Sequence, residues 1–190
     1  MLTAGAYREQ VWDELARRRA CAYPLPPHGH CPNFTHARKA AVQLLAHPQV
    51  AALHTLIVGP ERALYPLRSL ALKAGKTLYV PHQKKEGWYW TLSDPAGARL
   101  SAMPTQGEPT LKPGGAQAAV LACVAADPSG ARLGKGFGWG ARGLRLNLPE
   151  YTLAHPLMLP DQLPCPPDSR VTLIGTAGGV LVCPAETSGL

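Results

Sequence analysis

Residues 130–143 read GARLGKGFGWGARG, six glycines in fourteen positions with Arg132, Lys135 and Arg142 set among them. Glycine loses more conformational freedom on folding than any other residue, so a cluster this dense marks a backbone with a special task. Two tasks fit: a tight loop with a purely structural purpose, or a backbone that must approach a ligand closely, most often a phosphate. The apolar run AAVLACVAA (118–126) comes just before and reads as a buried strand leading into the loop. A cation-bearing loop at the carboxyl end of a strand is where open α/β sheets place their ligands. GWGARG (138–143) is a literal G-x-G-x-x-G, but DPSGARLGK separates it from the strand and Pro149 breaks the segment after it, so it is not a dinucleotide fingerprint. No G-K-[ST] is present, which excludes a P-loop.

The rest of the chain supplies helices and strands in alternation. YREQVWDELARRR (7–19) has helical spacing, with Val11, Trp12 and Leu15 inward. A second helix, FTHARKAAVQLLAH (34–47), is expected to be capped by Asn33 or Thr35. LHTLIVG and TLYVP read as strands on either side of the helix LRSLALKAG, whose Gly75 supplies a C-terminal stop. That βαβ spacing implies a parallel sheet with a right-handed crossover. The tail RVTLIGTAGGVLVCP adds one or two closing strands. The expectation is one α/β domain over residues 1–190, three-layer α/β/α with a mainly parallel sheet.

Nearly half the residues are apolar (46%), and no stretch of ~18 of them is continuous, which argues for a globular chain without a membrane span. The start is polar and unlike a signal peptide, giving an expected cytoplasmic location in which the five cysteines are reduced. A net charge of +7 suits an anionic partner: nucleotide phosphates, a polyanionic small molecule, or nucleic acid. HQKKEGWYW (82–90) sets Lys84 and Lys85 beside Trp88, Tyr89 and Trp90. That grouping suits stacking on a planar heterocycle, and in a strand Trp88 and Trp90 would share a face; core packing by one face is the alternative. Cys21, His28, His30, Cys31 and His36 lack the paired spacing of a structural zinc site.

At DPSGARLGKGFGWGAR the chain resembles the signature of the 5-formyltetrahydrofolate cyclo-ligase (5,10-methenyltetrahydrofolate synthetase) family, roughly F-D-x-x-G-x-R-L-G-y-G-g-G-y-Y-D-R. Asp127, Gly130, Arg132, Leu133, Gly134, Gly136, Gly138 and Arg142 fall in register. ALKAGKTLYVP is similar to the family's helix–strand unit, GEP (107–109) to its G-I-x-E-P, and Gln162, Asp168 and the IGT at 174–176 to its tail. REQVW, CPNF and RLGKG look closer still to the divergent branch called methenyltetrahydrofolate synthetase domain-containing proteins.

The resemblance implies a fold related to ribose-phosphate isomerases and CoA transferases. It also implies an ATP- and Mg²⁺-dependent conversion of 5-formyltetrahydrofolate to 5,10-methenyltetrahydrofolate. Arg132, Lys135 and Arg142 would supply catalytic charge, and Arg8 with Gly134, Gly136 and Gly138 would bind ATP phosphates. Trp88, Trp90, Lys84, Lys85 and Glu108 would meet the folate. Three departures stand out. The pattern's Tyr-Tyr-Asp is Trp139, Gly140, Ala141; its E-v-D-T gives way to ERALYPLR, with Glu61 nearby; and its tail Val-Asp is Val171, Thr172. They leave open a non-catalytic relative that binds a nucleotide, a folate or RNA through the same pocket, with the metal ligands unassigned.

Overall fold

The computed structural model describes residues 1–184. Five helices occur in chain order: α1 (Ala4–Arg17), α2 (Ala37–Ala46), the single turn α3 (Pro48–Ala51), α4 (Tyr65–Lys73) and the short α5 (Met103–Gln106). Continuous apolar runs make strands covered on both faces. The strands of the N-terminal half are β1 (Thr55–Val58), β2 (Thr77–Pro81), β3 (Tyr89–Leu92), β4 (Glu108–Thr110) and β5 (Ala118–Val120), of which β1 and β5 are runs of this kind. The C-terminal half adds β6 (Ala125–Ala126), β7 (Ala131–Leu133), β8 (Glu150–Leu153), β9 (Ser169–Arg170), β10 (Leu173–Thr176) and β11 (Gly179–Val182).

The main sheet has the order β11-β10-β8-β5-β1-β2-β3-β4. Its five middle strands, β10 to β2, run parallel, and β11, β3 and β4 pair antiparallel at the edges. A mainly parallel sheet with helices packed on it is the expected α/β architecture. Helices α2 and α4 lie against each other, α2 over β10 and α4 against β2. Leu44, Leu56, Leu67, Leu78 and Leu173 are fully buried in the core between these elements. Val11, Trp12 and Leu15 are the buried face of α1.

Three local expectations need correction. The residue before α2 is His36, in the left-handed region (φ 68°) with no side-chain cap, because Asn33 and Thr35 are engaged with the preceding loop. Asn33 Nδ2 donates to the Tyr23 carbonyl and the Thr35 amide to the Ala20 carbonyl. The run 118–126 is two strands in two sheets: β5 ends at Val120, and β6 joins β7 and β9 in a small antiparallel sheet. Every residue of the run is buried, so its apolar character could not reveal the change of sheet. Finally, β8 begins directly after Pro149, where no strand was expected. Proline is tolerated just before a strand's first residue, and β8 fills the gap between β5 and β10.

Candidate functional site

The carboxyl ends of β1 and β2 open onto a cleft of about 920 Å³. The turn after β1 contributes Glu61 and Arg62, and the β2–β3 hairpin contributes His82, Lys84 and Trp88. The proline-rich loop after α1 adds Tyr23, His30 and Cys31, and the glycine loop adds Lys135, Gly138 and Trp139. This volume falls in the usual range for small-molecule sites, at the expected end of a parallel sheet.

Buried charges pin the glycine loop at several points. Arg132 is 2% exposed. Its Nε and Nη2 donate to the Ala122 carbonyl at 3.0 and 2.7 Å, and its Nη1 donates to the Gly140 carbonyl and to Ser169 Oγ, both at 3.0 Å. The Gly134 amide donates to Asp168 Oδ2 (3.0 Å), while its carbonyl accepts from Arg8 Nε (2.8 Å). Arg8 Nη2 closes the triangle on the same Asp168 oxygen at 3.0 Å. Between these anchors, residues 135–139 form the free tip. Lys135 Nζ lies 4.6 Å from the centre of the Phe137 ring. Gly136 has φ +98°, and a Cβ there would meet the Arg8 guanidinium at 3.0 Å, so only glycine lets Arg8 brace the tip closely.

These placements sort the expected site residues. Lys84, Trp88, Lys135 and Gly138 line one cleft. Arg132 and Gly134, which the sequence places at a phosphate, hold the loop from behind the lining, and Arg8 gives its Nε and Nη2 to the same task while its Nη1 lies beside the tip at Gly136. Gly136 is on the exposed tip, and Arg142 is exposed beyond it, outside the cleft lining. Trp88 and Trp90 do not act together. Trp90 stacks on His82 (4.4 Å, 21°) and packs on the core, whereas Trp88 precedes the strand and faces the cleft. Lys85 lies 5.1 Å from the Trp88 ring centre, outside the lining. Glu108 is exposed on edge strand β4, paired with Thr91 and away from the lining.

Sequence reasoning missed Tyr23, His30, Cys31 and Arg62. A long proline-rich loop with an aromatic and two histidines was the available signal. What brings it to the cleft is a tertiary contact, Trp12 Nε1 donating to the His30 carbonyl at 2.9 Å.

The cleft's electrostatics are uneven. Arg62, Lys84 and Lys135 bring positive charge, and Glu61 and Glu86 are its carboxylates. Burial raises the Glu61 carboxyl, against the pull of Arg132, Lys135 and Arg68. Its Oε2 is buried without a hydrogen-bond partner, tucked against Gly59. Arg68, itself buried, holds this turn by donating to the carbonyls of Gly59 (2.8 Å) and Glu61 (2.9 Å). Burial also pushes the Cys31 thiol up, so it is not a ready nucleophile. His28 joins neither Cys21 nor Cys31 in a metal set. Its Nε2 pairs with Asp13 (2.7 Å) and approaches Glu9 (3.8 Å) on the exposed side of α1.

The 5-formyltetrahydrofolate cyclo-ligase family model matches residues 5–176. The chain belongs to this family. Methenyltetrahydrofolate synthase domain-containing proteins of Mus musculus and Bos taurus are 31% and 29% identical over 147 and 144 residues. Each match covers 70% of this chain and 39% or 38% of the relative, so the chain spans about two fifths of their length. The fold matches the solution structure of Aquifex aeolicus 5,10-methenyltetrahydrofolate synthetase, with a TM-score of 0.66 at 20% identity over 96% of both chains. Gly140 and Ala141 stand at the positions of Tyr-Asp in the signature that the sequence resembles. Among the described residues, no helix is long and apolar enough to cross a membrane.

Proposed function

We propose that this protein binds ATP and a reduced folate in the cleft and joins N5 and N10 through a methenyl bridge. The observation that carries this reading is the shared lining. Lys135 and Gly138 of the glycine loop face the same cleft as Lys84 and Trp88 of the hairpin. One group suits phosphates and the other a flat ring with an acidic tail.

In the proposed reaction the formyl oxygen of 5-formyltetrahydrofolate attacks the γ-phosphorus of ATP, and ADP leaves. N10 then attacks the activated formyl carbon, and its proton and inorganic phosphate depart as the bridge forms. Phosphoryl transfer needs positioning and charge stabilisation more than a protein nucleophile. Lys135 supplies charge at the phosphate, with backbone amides of the tip as donors. Trp88 stacks on the pterin and Lys84 meets the glutamyl carboxylate. Arg8, Arg132 and Asp168 act from behind by fixing the loop. The five unpaired cysteines suit a reducing, cytoplasmic setting.

The donor set does not fit a magnesium ion held by the protein. Ala141 and Thr172 occupy the motif positions where the family pattern has carboxylates. Of the two carboxylates lining the cleft, Glu61 is turned in on Gly59 and Glu86 is on the exposed hairpin. A hard cation asks for oxygen ligands aimed at one point. No step of the reaction is therefore assigned to a metal.

The loss of those carboxylates favours a second reading, binding without turnover. One assay separates the two. Purified protein is mixed with 5-formyltetrahydrofolate and ATP, with and without Mg²⁺, and the absorbance of methenyltetrahydrofolate is followed, with ATP omitted as control. An ATP-dependent rise supports the cyclo-ligase. A flat trace beside an active reference enzyme, with both ligands bound, supports the binding protein.

A further inference from the structure

We propose that Arg62, held by the ring of Tyr23, grips an oxyanion of the ligand directly at the cleft mouth, without a bridging metal ion. The assignment of ligands rests on the function proposed above; the oxyanion chemistry does not. Arg62 is exposed and lines the cleft. Its Cζ lies 4.7 Å from the centre of the Tyr23 ring. Among the described residues its guanidinium has no hydrogen bond or ion pair, so all five N–H donors are available.

Both partners stand on braced backbone. The Tyr23 carbonyl accepts from Asn33 Nδ2 at 2.9 Å, and the neighbouring Ala22 amide donates to the Asn33 carbonyl at 2.8 Å. On the opposite wall, Arg68 ties down the carbonyls of Gly59 and Glu61 just before Arg62. A guanidinium stacked on an aromatic face loses little further freedom when it binds, and its planar fork matches a carboxylate or phosphate bidentately. The cleft has positive side chains but no carboxylate arranged to hold a divalent cation, so the charge of a polyanion must be met by groups such as this one.

Two ligands carry the matching chemistry: the phosphates of ATP and the glutamyl carboxylates of the folate. Calorimetric titrations separate them. The probes are tripolyphosphate and ATP in EDTA, ATP with Mg²⁺, 5-formyltetrahydrofolate, and a formyltetrahydropterin without the glutamyl tail. R62A and R62K should each weaken one class of anion about tenfold or more, because lysine lacks the fork. Y23L should weaken the same ligand by about threefold and Y23F should restore it, since the ring face and not the hydroxyl orients Arg62. Loss confined to tripolyphosphate and ATP assigns the phosphates. Loss confined to the tailed folate, with the tail-less pterin unaffected, assigns the carboxylate.

The clamp is overturned if R62A keeps wild-type affinity for all probes, or if EDTA abolishes wild-type binding of ATP and tripolyphosphate. If wild type binds no folate yet shows Arg62-dependent tripolyphosphate binding, the clamp stands and the cyclo-ligase reading falls. If folate and ATP turn over identically in wild type and R62A, the opposite holds. If the wild-type protein binds none of the probes, both fall.

Discussion

Replacing Arg132 with methionine tests whether this arginine belongs to the scaffold or to the chemistry. Its stem and guanidinium are 2% exposed, and four hydrogen bonds connect it to Ala122, Gly140 and Ser169. Methionine roughly preserves the stem's volume and removes every donor. The Ala122 carbonyl, which accepts two of the four bonds in a buried setting, then loses both. An unsatisfied buried acceptor costs about 1–3 kcal/mol, and lost bonds to a charged donor cost about as much again. Part of this returns because a desolvated charge is no longer buried. The net loss should be about 3–5 kcal/mol, the range typical of broken buried networks. For a chain of this size that is about 6–20 °C in Tm. Urea denaturation should show a lower midpoint with an unchanged slope. The reasoning is refuted if R132M unfolds at the wild-type midpoint while its affinity for tripolyphosphate collapses. That result would put the guanidinium on the ligand, not behind the loop.

Three further substitutions probe the cleft and its supports. K135A should weaken tripolyphosphate binding about tenfold by calorimetry while Tm stays within about 1 °C, because the Lys135 ammonium lies over the exposed Phe137 ring and faces the open cleft. G136A should cost about 1–3 kcal/mol in urea, since φ +98° strains an L side chain and the new Cβ crowds the Arg8 guanidinium at 3.0 Å. E61Q should raise Tm near neutral pH. The folded carboxyl titrates above its ordinary value of 4.5, so its ionisation penalises the fold progressively as pH rises past that value. The advantage of E61Q should therefore shrink toward zero as pH falls to about 4.5, and an advantage that grows in acid would contradict the burial of this group.

The features legible in the sequence were local ones. The spacing of Val11, Trp12 and Leu15 sets the buried face of α1. The βαβ unit from Thr55 to Pro81 comes from two apolar runs and a helix ended by Gly75 (φ +85°). Lys135 and Gly138 reach the cleft, where a cation-bearing glycine loop in an α/β chain is expected, although the strand directly before it belongs to the small antiparallel sheet. The features that stayed hidden depend on long-range partners. Arg132 looks like a ligand-facing cation in sequence, since nothing local reveals that residues 122 and 169 consume its donors. Trp88 and Trp90 have strand spacing, yet the strand begins at Tyr89 and His82 covers Trp90. Tyr23 and Arg62 are 39 positions apart and meet only when the proline-rich loop folds across the cleft.

The positions of the buried charges explain how a glycine-rich loop can be both permissive and rigid. Six glycines would give this segment many conformations in isolation. Here the ends are fixed by interactions that water cannot easily replace: the Asp168 carboxylate holds the Gly134 amide and Arg8 together, and Arg132 holds the Gly140 carbonyl. Freedom is then confined to residues 135–139, which carry Lys135 and Trp139 into the cleft. A ligand that orders those five residues has far less entropy to overcome than one that must order the whole loop. The same arrangement separates two kinds of damage. Loss of an anchor loosens the fold and, with it, every contact of the tip, whereas loss of Lys135 removes one charge from an otherwise intact loop. Substitutions of Arg132 and Lys135 should therefore add nearly independently in stability and strongly non-additively in ligand affinity, because the contribution of Lys135 depends on the anchors being in place.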